Sequence, residues 1–390
     1  MELVSKDKCF GCTACMAVCN TGAIQMEIDP HGFQYPVIDL QKCVNCGKCR
    51  NACPALDPHG VCGAKETIDV YAIKSRDTAV LENSSSGGLF TVLSDYVLSQ
   101  NGVIYASAHN EMLETIFTRA DSVQERDKQR GSKYVQSNMG DIFGKLEKDI
   151  KKGMKVLFVG TPCQIAAVNH IVPQKNKNQI ITVDIICNGV PSPLVFQKYI
   201  QYCEKKEKNS IIEHFHRPKD LGWGHNEKNI FSNGKVDRDS EYSQAWKMLF
   251  YSSKAHRECC YSCPYTNLDR VSDITIGDYW GIEKTDLKIP REGGVSLCIA
   301  NTIKGKAVIK ELTNRQCLIE KSRIEDAIVK QPRLRGVCAS SEGSELFWRE
   351  FERKGSDFVI EKYGRCSDWI ILKHQIKRVL VSIGVLRDGE

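Results

Sequence analysis

The sequence predicts a small α+β module followed by a larger α/β domain with a largely parallel sheet. Three observations carry this. One four-cysteine spacing occurs twice within the first 54 residues. From Asp69 to Lys205, short β-branched runs alternate with segments of helical period, the rhythm of strand–helix–strand units. Two further cysteines, Cys163 and Cys187, stand where such strands end.

Composition bounds the reading. The chain has 390 residues, with 42% hydrophobic and 26% charged, enough for two or three domains and a real core. A net charge of +6 is mild and does not argue for a nucleic-acid partner. The Met1–Asp7 start lacks the apolar run of a secretory leader, and no stretch of about 20 uncharged apolar residues predicts a membrane span. Nineteen cysteines in such a chain point to metal-bound thiolates in a reducing, cytoplasmic setting rather than to disulfides.

The first module spans residues 1–62. Cys9, Cys12, Cys15 and Cys19 form a C-x2-C-x2-C-x3-C run, and Cys43, Cys46, Cys49 and Cys53 repeat it. Between them, Ile24–Ile28 and Tyr35–Ile38 alternate like short strands. The runs resemble those of two-cluster bacterial ferredoxins. The resemblance implies an α+β ferredoxin-like dicluster fold with two [4Fe-4S] clusters. It gives the first cluster Cys9, Cys12, Cys15 and Cys53, and the second Cys43, Cys46, Cys49 and Cys19. Zinc is the alternative, but it prefers two separated C-x2-C pairs, four ligands in all. The first run ends Cys19-Asn20, without the proline that follows Cys53. Cys62 has no partner in spacing.

The body is expected over residues 63–320. Asp69–Ile73 reads as a strand, and Leu89–Leu98 as a helix entered through Ser84-Ser85-Ser86-Gly87-Gly88. Such an entry is suited to a phosphate, although a plain serine cap explains it as well. Val103–Ala106 is a strand, and Asp141–Lys152 an amphipathic helix. Val156–Val159 is a buried strand, then a Gly160-Thr161-Pro162 turn holds Cys163, with a helix from Gln164 onward. Ile180–Ile186 is the next strand and ends at Cys187, before a helix over Leu194–Lys205. In a right-handed crossover the two strands are parallel, so both cysteines reach the same sheet edge. Cys260-x2-Cys263 is a chelating turn, with Cys259 adjacent. The four cysteines 163, 187, 260 and 263 make the ligand set of a third cubane. The alternatives are a four-thiolate zinc site and a Cys163 nucleophile with His170 seven residues on.

His214-Phe215-His216 and Gly222-Trp223-Gly224-His225 read as loop segments covering a pocket. The two alternating histidines are assigned to a solvent-facing strand edge, with a metal pair as the alternative. Residues 321–390 are expected to be a helical extension, with helices over Ser344–Lys354 and 369–380. The second is basic and amphipathic, a docked surface helix rather than a contact for an anionic membrane or a partner.

Together these segments resemble the family of beta subunits of coenzyme F-420 hydrogenases and dehydrogenases. The resemblance rests on Ser85-Ser86-Gly87-Gly88 with Thr91, Gly131-Ser132-Lys133-Tyr134, Gly160–Gln164, Cys187–Pro193, the Cys260/Cys263 pair, Ser272–Gly281 and Gly294–Leu297. It implies FAD beside an iron–sulfur cluster. Ser85, Ser86, Gly87, Gly88 and Thr91 become flavin-binding candidates, and so do Asp278, Trp280 and Ser296. Core packing is the competing account of Trp280. Lys133 and Tyr134 are the catalytic candidates beside the flavin or substrate. The fused front module departs from many members of the family. It implies a ferredoxin-type donor or acceptor, with a small organic substrate or the deazaflavin coenzyme exchanging a hydride at FAD. A non-catalytic relay subunit within a larger complex is the second reading.

Overall fold

The computed structural model describes residues 3–58, 68–238, 240–312, 317–337 and 339–365, with Leu372, Ile376, Val379 and Leu380 beyond them. Cys62, the boundary near it and most of the 369–380 segment lie outside the described residues.

In the front module, β1 (Ile24–Ile28) and β2 (Gln34–Ile38) pair antiparallel, Ile24 opposite Ile38. Short helices, Ala14–Ala17 and Lys48–Asn51, carry the third cysteine of each run. The two runs match in backbone as well as in sequence. The residue before the second cysteine, Gly11 or Asn45, has a left-handed backbone, and so does the residue after it, Thr13 or Gly47. Such turns aim successive N–H groups into one concavity, the environment an anionic cluster needs.

The body holds β3 (Asp69–Ser75), β4 (Val103–His109), β5 (Thr115–Ala120), β6 (Val156–Gly160) and β7 (Ile180–Ile185). Then follow β8 (Ile211–His216), β9 (Glu227–Phe231), β10 (Val236–Asp237), β11 (Ile274–Asp278), β12 (Ser296–Ala300) and β13 (Cys317–Ser322). Eight of them form one sheet in the order β13-β3-β12-β11-β7-β6-β4-β5. Its centre is parallel, through the β11–β7, β7–β6 and β6–β4 pairings. Antiparallel pairings flank that centre on both sides.

Alternation along β6 shows why this sheet is buried on both faces. Val156 and Phe158 point into one core, with Phe143 and Leu146 of the Ile142–Lys151 helix. Leu157 and Val159 point into another, with Leu89, Leu93 and Val97 of the Leu89–Leu98 helix. Each large side chain so buried contributes about 1.5–3 kcal/mol.

The region around the segments at His214–His216 and Gly222–His225, which were expected as loops, forms a second antiparallel sheet, β10-β9-β8, and a helix at Ala245–Ser252. Its strands are short and turn His214, His216, Glu227 and Asn229 inward, so no apolar alternation marks them. A third core draws together Phe33 and Tyr35 of the front module, Phe196 and Trp246 of the body, and Phe347 and Trp348 of the C-terminal part. His31 stacks on Trp348 with ring centres 3.9 Å apart.

Candidate functional site

Cys9, Cys12, Cys15 and Cys53 form one electrostatic group. Burial pushes the Cys12 thiol well above its usual range, and Cys15, Cys9 and Cys53 add to the shift. Cys15 is pushed up to about 12, by burial first and then by Cys9 and Cys53. Thiols that raise one another in this way surround a space that a cationic centre relieves. Cys19, Cys43 and Cys49 pack beside Ile24 and Ile38, while Cys46 is exposed. These four cysteines therefore lie nearer the surface than Cys9, Cys15 and Cys53.

In the body, β6 and β7 are adjacent and parallel, so their ends meet in register from Val156 opposite Ile180 to Gly160 opposite Asp184. Cys187 follows the end of β7. Cys163 lies not in a loop but in the first turn of the Pro162–Ile171 helix. That helix starts early because Thr161 and Gln164 cap it reciprocally and Pro162 is preset for a first turn. The Thr161 hydroxyl is 3.2 Å from the Cys163 sulfur. Burial pushes Cys163 up to about 12, with Cys263 and Cys260 adding to it. Cys187 is raised by burial and then by Cys260, Cys163 and Cys263. All four sequence-selected thiols are thus neighbours, although they come from three separate chain segments.

His170 is not positioned as a base for Cys163. Its two ring nitrogens face the carbonyl oxygens of Asn51 and Asp57, at 3.0 and 2.9 Å, on the front module.

The four thiols line a cavity of about 580 Å³, within the usual size range of small-molecule and cofactor sites. Phe10, Gly11 and Cys12 of the front module form part of its wall. Arg257 holds that wall in place. Its buried guanidinium donates to the carbonyls of Cys9 at 2.7 Å and Gln34 at 2.8 Å, and lies 4.2 Å over the Tyr35 ring.

Opposite the thiols is the entry to the Leu89–Leu98 helix. Ser85, Ser86, Gly88, Asp278, Trp280 and Ser296 line the cavity, as do Lys133 and Tyr134; Gly87 and Thr91 are not on its wall. Gly87 has a packing reason: a Cβ there would lie 2.4 Å from the Ile73 carbonyl oxygen and 2.5 Å from the Ser296 nitrogen. Thr91 is buried beneath the helix entry. The Ser85 hydroxyl accepts from the Ser132 N–H at 2.9 Å, and the Ser86 hydroxyl donates to the Val295 carbonyl at 3.0 Å. Lys219 ties this loop down by donating to the carbonyls of Leu81 and Ser86, both at 2.6 Å, and of Gly293.

Lys133 donates to the carbonyls of Gln129 and Arg130, at 2.9 and 2.6 Å, which end the Val123–Gln129 helix. That geometry is a C-terminal cap, so its ammonium has a positioning job. Desolvation lowers Lys133 to about 7. Tyr134 stacks on His225 with ring centres 4.5 Å apart. Trp280 stacks on Trp223 at 4.6 Å, and the Arg217 guanidinium lies 5.3 Å over its ring. Asp278 accepts a forked pair of hydrogen bonds from Arg217, and another from the Trp223 indole at 2.7 Å. Trp280 is therefore a half-buried wall residue rather than a core one.

Sequence reasoning missed Arg217, Lys219, Arg257 and Arg333. Arg333 donates to the Asn188 side chain and carbonyl, at 2.9 and 3.1 Å, beside Cys187. Single basic residues in loops carry no spacing signal. Only the short polar runs around them pointed here.

Comparison with known proteins accords with this geometry. The family of the carboxyl-terminal region of the coenzyme F420 hydrogenase/dehydrogenase beta subunit matches residues 153–326. The chain carries a domain of this family. Two families described as a 4Fe-4S dicluster domain match residues 8–56 and 35–103. Among the relatives is the F subunit of the F(420)H(2) dehydrogenase of Methanosarcina mazei. It is 23% identical over 71% of this chain and 77% of its own length. The beta subunit of the F420-dependent formate dehydrogenase 1 of Methanococcus maripaludis is 22% identical over 77% of this chain and 71% of its own. A solved structure, "Xenon derivatization of the F420-reducing [NiFe] hydrogenase complex from Methanosarcina barkeri", aligns at 16% identity and a TM-score of 0.48. It covers 76% of this chain and 95% of that one. The chain is thus an iron–sulfur protein whose named relatives are subunits of redox enzymes. Among the described residues, no helix is long and apolar enough to cross a membrane.

Proposed function

We propose that this chain is an FAD- and iron–sulfur-dependent oxidoreductase. Single electrons enter through the front module and pass by the cluster held between Cys163, Cys187, Cys260 and Cys263. At the flavin, a hydride is exchanged with the deazaflavin coenzyme or a similar flat organic molecule. The observation that supports this most is the shared cavity. Its wall includes those four thiols, Cys12 of the front module, and the open N-terminus of a ten-residue helix.

The residues suit both groups. Four converging thiols supply the full ligand number of a cubane. A helix N-terminus beside Ser85 offers backbone donors for a pyrophosphate, and Tyr134, Phe250 and Trp280 offer flat apolar surface for a ring system. A bound flavin supplies the exchange between hydride chemistry and one-electron chemistry. The protein's own work is positional. Lys219 fixes the phosphate-side loop. Arg217 and Asp278 fix the Trp223–Trp280 stack. Arg257 fixes the distance between the front module and the body cluster. The deazaflavin choice draws on the names of the relatives above.

The test is to purify the chain without air and to count iron, sulfide and flavin, in wild type and in Cys163→Ala. About 12 irons with one FAD, falling to about 8 in the variant, is the expected result. About 8 irons in both, or no flavin, overturns the reading and returns Cys163 to the nucleophile candidates.

A relay reading, in which the chain only passes electrons within a larger complex, draws on exposed apolar residues around the second ligand set. Val44 is 67% exposed and Leu40 62%, next to exposed Cys46. That is a face for a redox partner in either reading. Oxidation of the deazaflavin by the isolated chain, with an artificial acceptor, distinguishes an enzyme from a relay.

A further inference from the structure

The alternating histidines do not face solvent, contrary to the sequence expectation. In the β8–β9 pairing, His214 lies opposite Asn229 and His216 opposite Glu227. Strand alternation puts both histidines on one face. The Pro193–Glu207 helix covers that face, with the Phe196 ring centre 5.2 Å from His214 and 5.6 Å from His216. The side chains of His214, His216 and Glu227 have no solvent exposure.

Three donor atoms converge there. His214 Nε2 and His216 Nδ1 are 3.2 Å apart. His216 Nδ1 and Glu227 Oε2 are 2.7 Å apart, and His214 Nε2 and Glu227 Oε2 are 3.3 Å apart. Ligands held about 2.0–2.2 Å from one zinc ion stand roughly 3–3.5 Å from each other. The triangle therefore already has close to the spacing of a single coordination shell.

Hydrogen bonding alone leaves it short of protons. His214 Nδ1 faces Asn229 Oδ1 at 2.7 Å, and the amide nitrogen of Asn229 turns to the Tyr199 hydroxyl. His214 Nδ1 thus carries the proton, and Nε2 presents a lone pair. That lone pair and the Glu227 carboxylate both converge on His216 Nδ1, which has at most one proton to give. The ion-pair partners of Glu227 among the described residues are three histidines, with no lysine or arginine. A fully buried carboxylate needs a compensating cation.

The surroundings are those of a built metal site. Outer partners of metal-ligating side chains normally fix tautomer and orientation. Asn229 does this for His214. Glu227 Oε1 accepts from His225 Nε2 at 2.9 Å, and His225 Nδ1 meets the Tyr251 hydroxyl at 3.0 Å. His109 stands beside the triangle, its ring centre 5.8 Å from that of His216. Its Nδ1 is on the Thr115 hydroxyl and its buried Nε2 has no partner.

We propose that His214, His216 and Glu227 bind one divalent transition-metal ion of zinc type. The site is separate from the cysteine sets. It braces the cavity wall through Glu227 and His225, since His225 and Tyr251 both line the cavity.

The test uses the full chain, purified after growth with added zinc chloride. Zinc and iron are counted in wild type, His216→Ala and Glu227→Gln, and a zinc-edge absorption spectrum is taken of wild type. The expected result is about one zinc per chain, with nitrogen and oxygen scatterers at about 2.0–2.2 Å and no sulfur at about 2.3 Å. In both variants zinc falls at least about fivefold while iron is unchanged, because the two metals use different ligands. Wild type without zinc, sulfur at about 2.3 Å, or zinc that persists in the folded variants each overturns the proposal. If neither variant folds, the wild-type spectrum decides alone.

Discussion

The front module gathers eight thiols and the body four, by different means. In the front module three cysteines of each run share one local loop, whose left-handed residues recur at matching places, Gly11 and Asn45, then Thr13 and Gly47. In the body, no two of Cys163, Cys187 and the Cys260/Cys263 turn share a loop. Cys163 and Cys187 meet because β6 and β7 are parallel neighbours, and the Cys260/Cys263 turn joins them from a separate segment. A local site depends on its own turns, whereas a distributed site depends on the whole sheet. The first is robust to distant change, and the second is exposed to it.

Substitutions can break that contrast. The largest effect is expected from Cys187→Ala, which removes one of the four thiols proposed to hold the body cluster. About four irons per chain are lost while those of the front module stay, as read by iron analysis of the anaerobic protein. Next is Asp278→Asn, which leaves the buried Arg217 guanidinium without its carboxylate. A cost of about 3–5 kcal/mol is expected from an uncompensated buried charge, together with lower flavin content; urea unfolding and flavin absorbance read the two.

Arg257→Met tests the joint between the two regions. Charge-assisted hydrogen bonds to the Cys9 and Gln34 carbonyls are lost, at about 1.5–3 kcal/mol each. Iron content should hold, while limited proteolysis near residues 9–36 becomes faster. Unchanged proteolysis would mean that Arg257 does not hold the joint.

The smallest effect sharpens the comparison by pH. Burial lowers Lys219 to about 7. Its unfolded value is about 10.4, so between roughly pH 7 and 10 the folded state binds fewer protons than the unfolded state. This group therefore adds stability as pH rises through that window. Lys219→Met should flatten the slope by at most about 1.4 kcal/mol per pH unit, read from urea melts at pH 7 and 9.

The sequence was most readable where chemistry is local. Both four-cysteine runs were visible in full, and so were β6, β7 and the Leu89–Leu98 helix, because spacing and apolar period are properties of short segments. The approach of Cys163 to Cys187 followed from one rule about parallel crossovers, whereas nothing local in the sequence brought the Cys260/Cys263 turn to them. The antiparallel flanks of the sheet did not, since β3, β12 and β13 lie far apart in the chain. His214 and His216 were readable as a strand, but which side is covered depends on the Pro193–Glu207 helix and on Glu227 across the hairpin. Gly87 carried the opposite lesson. It belongs to the resembling motif, yet its tight contact with Ile73 and Ser296 gives it a reason of its own.

The cavity wall has one more consequence. Residues 10–12 close one side of it, and Ser84–Ser86 with Gly88–Phe90 another. A molecule seated in that space would touch segments some seventy residues apart in the chain, and so would tie the front module to the body as well as react.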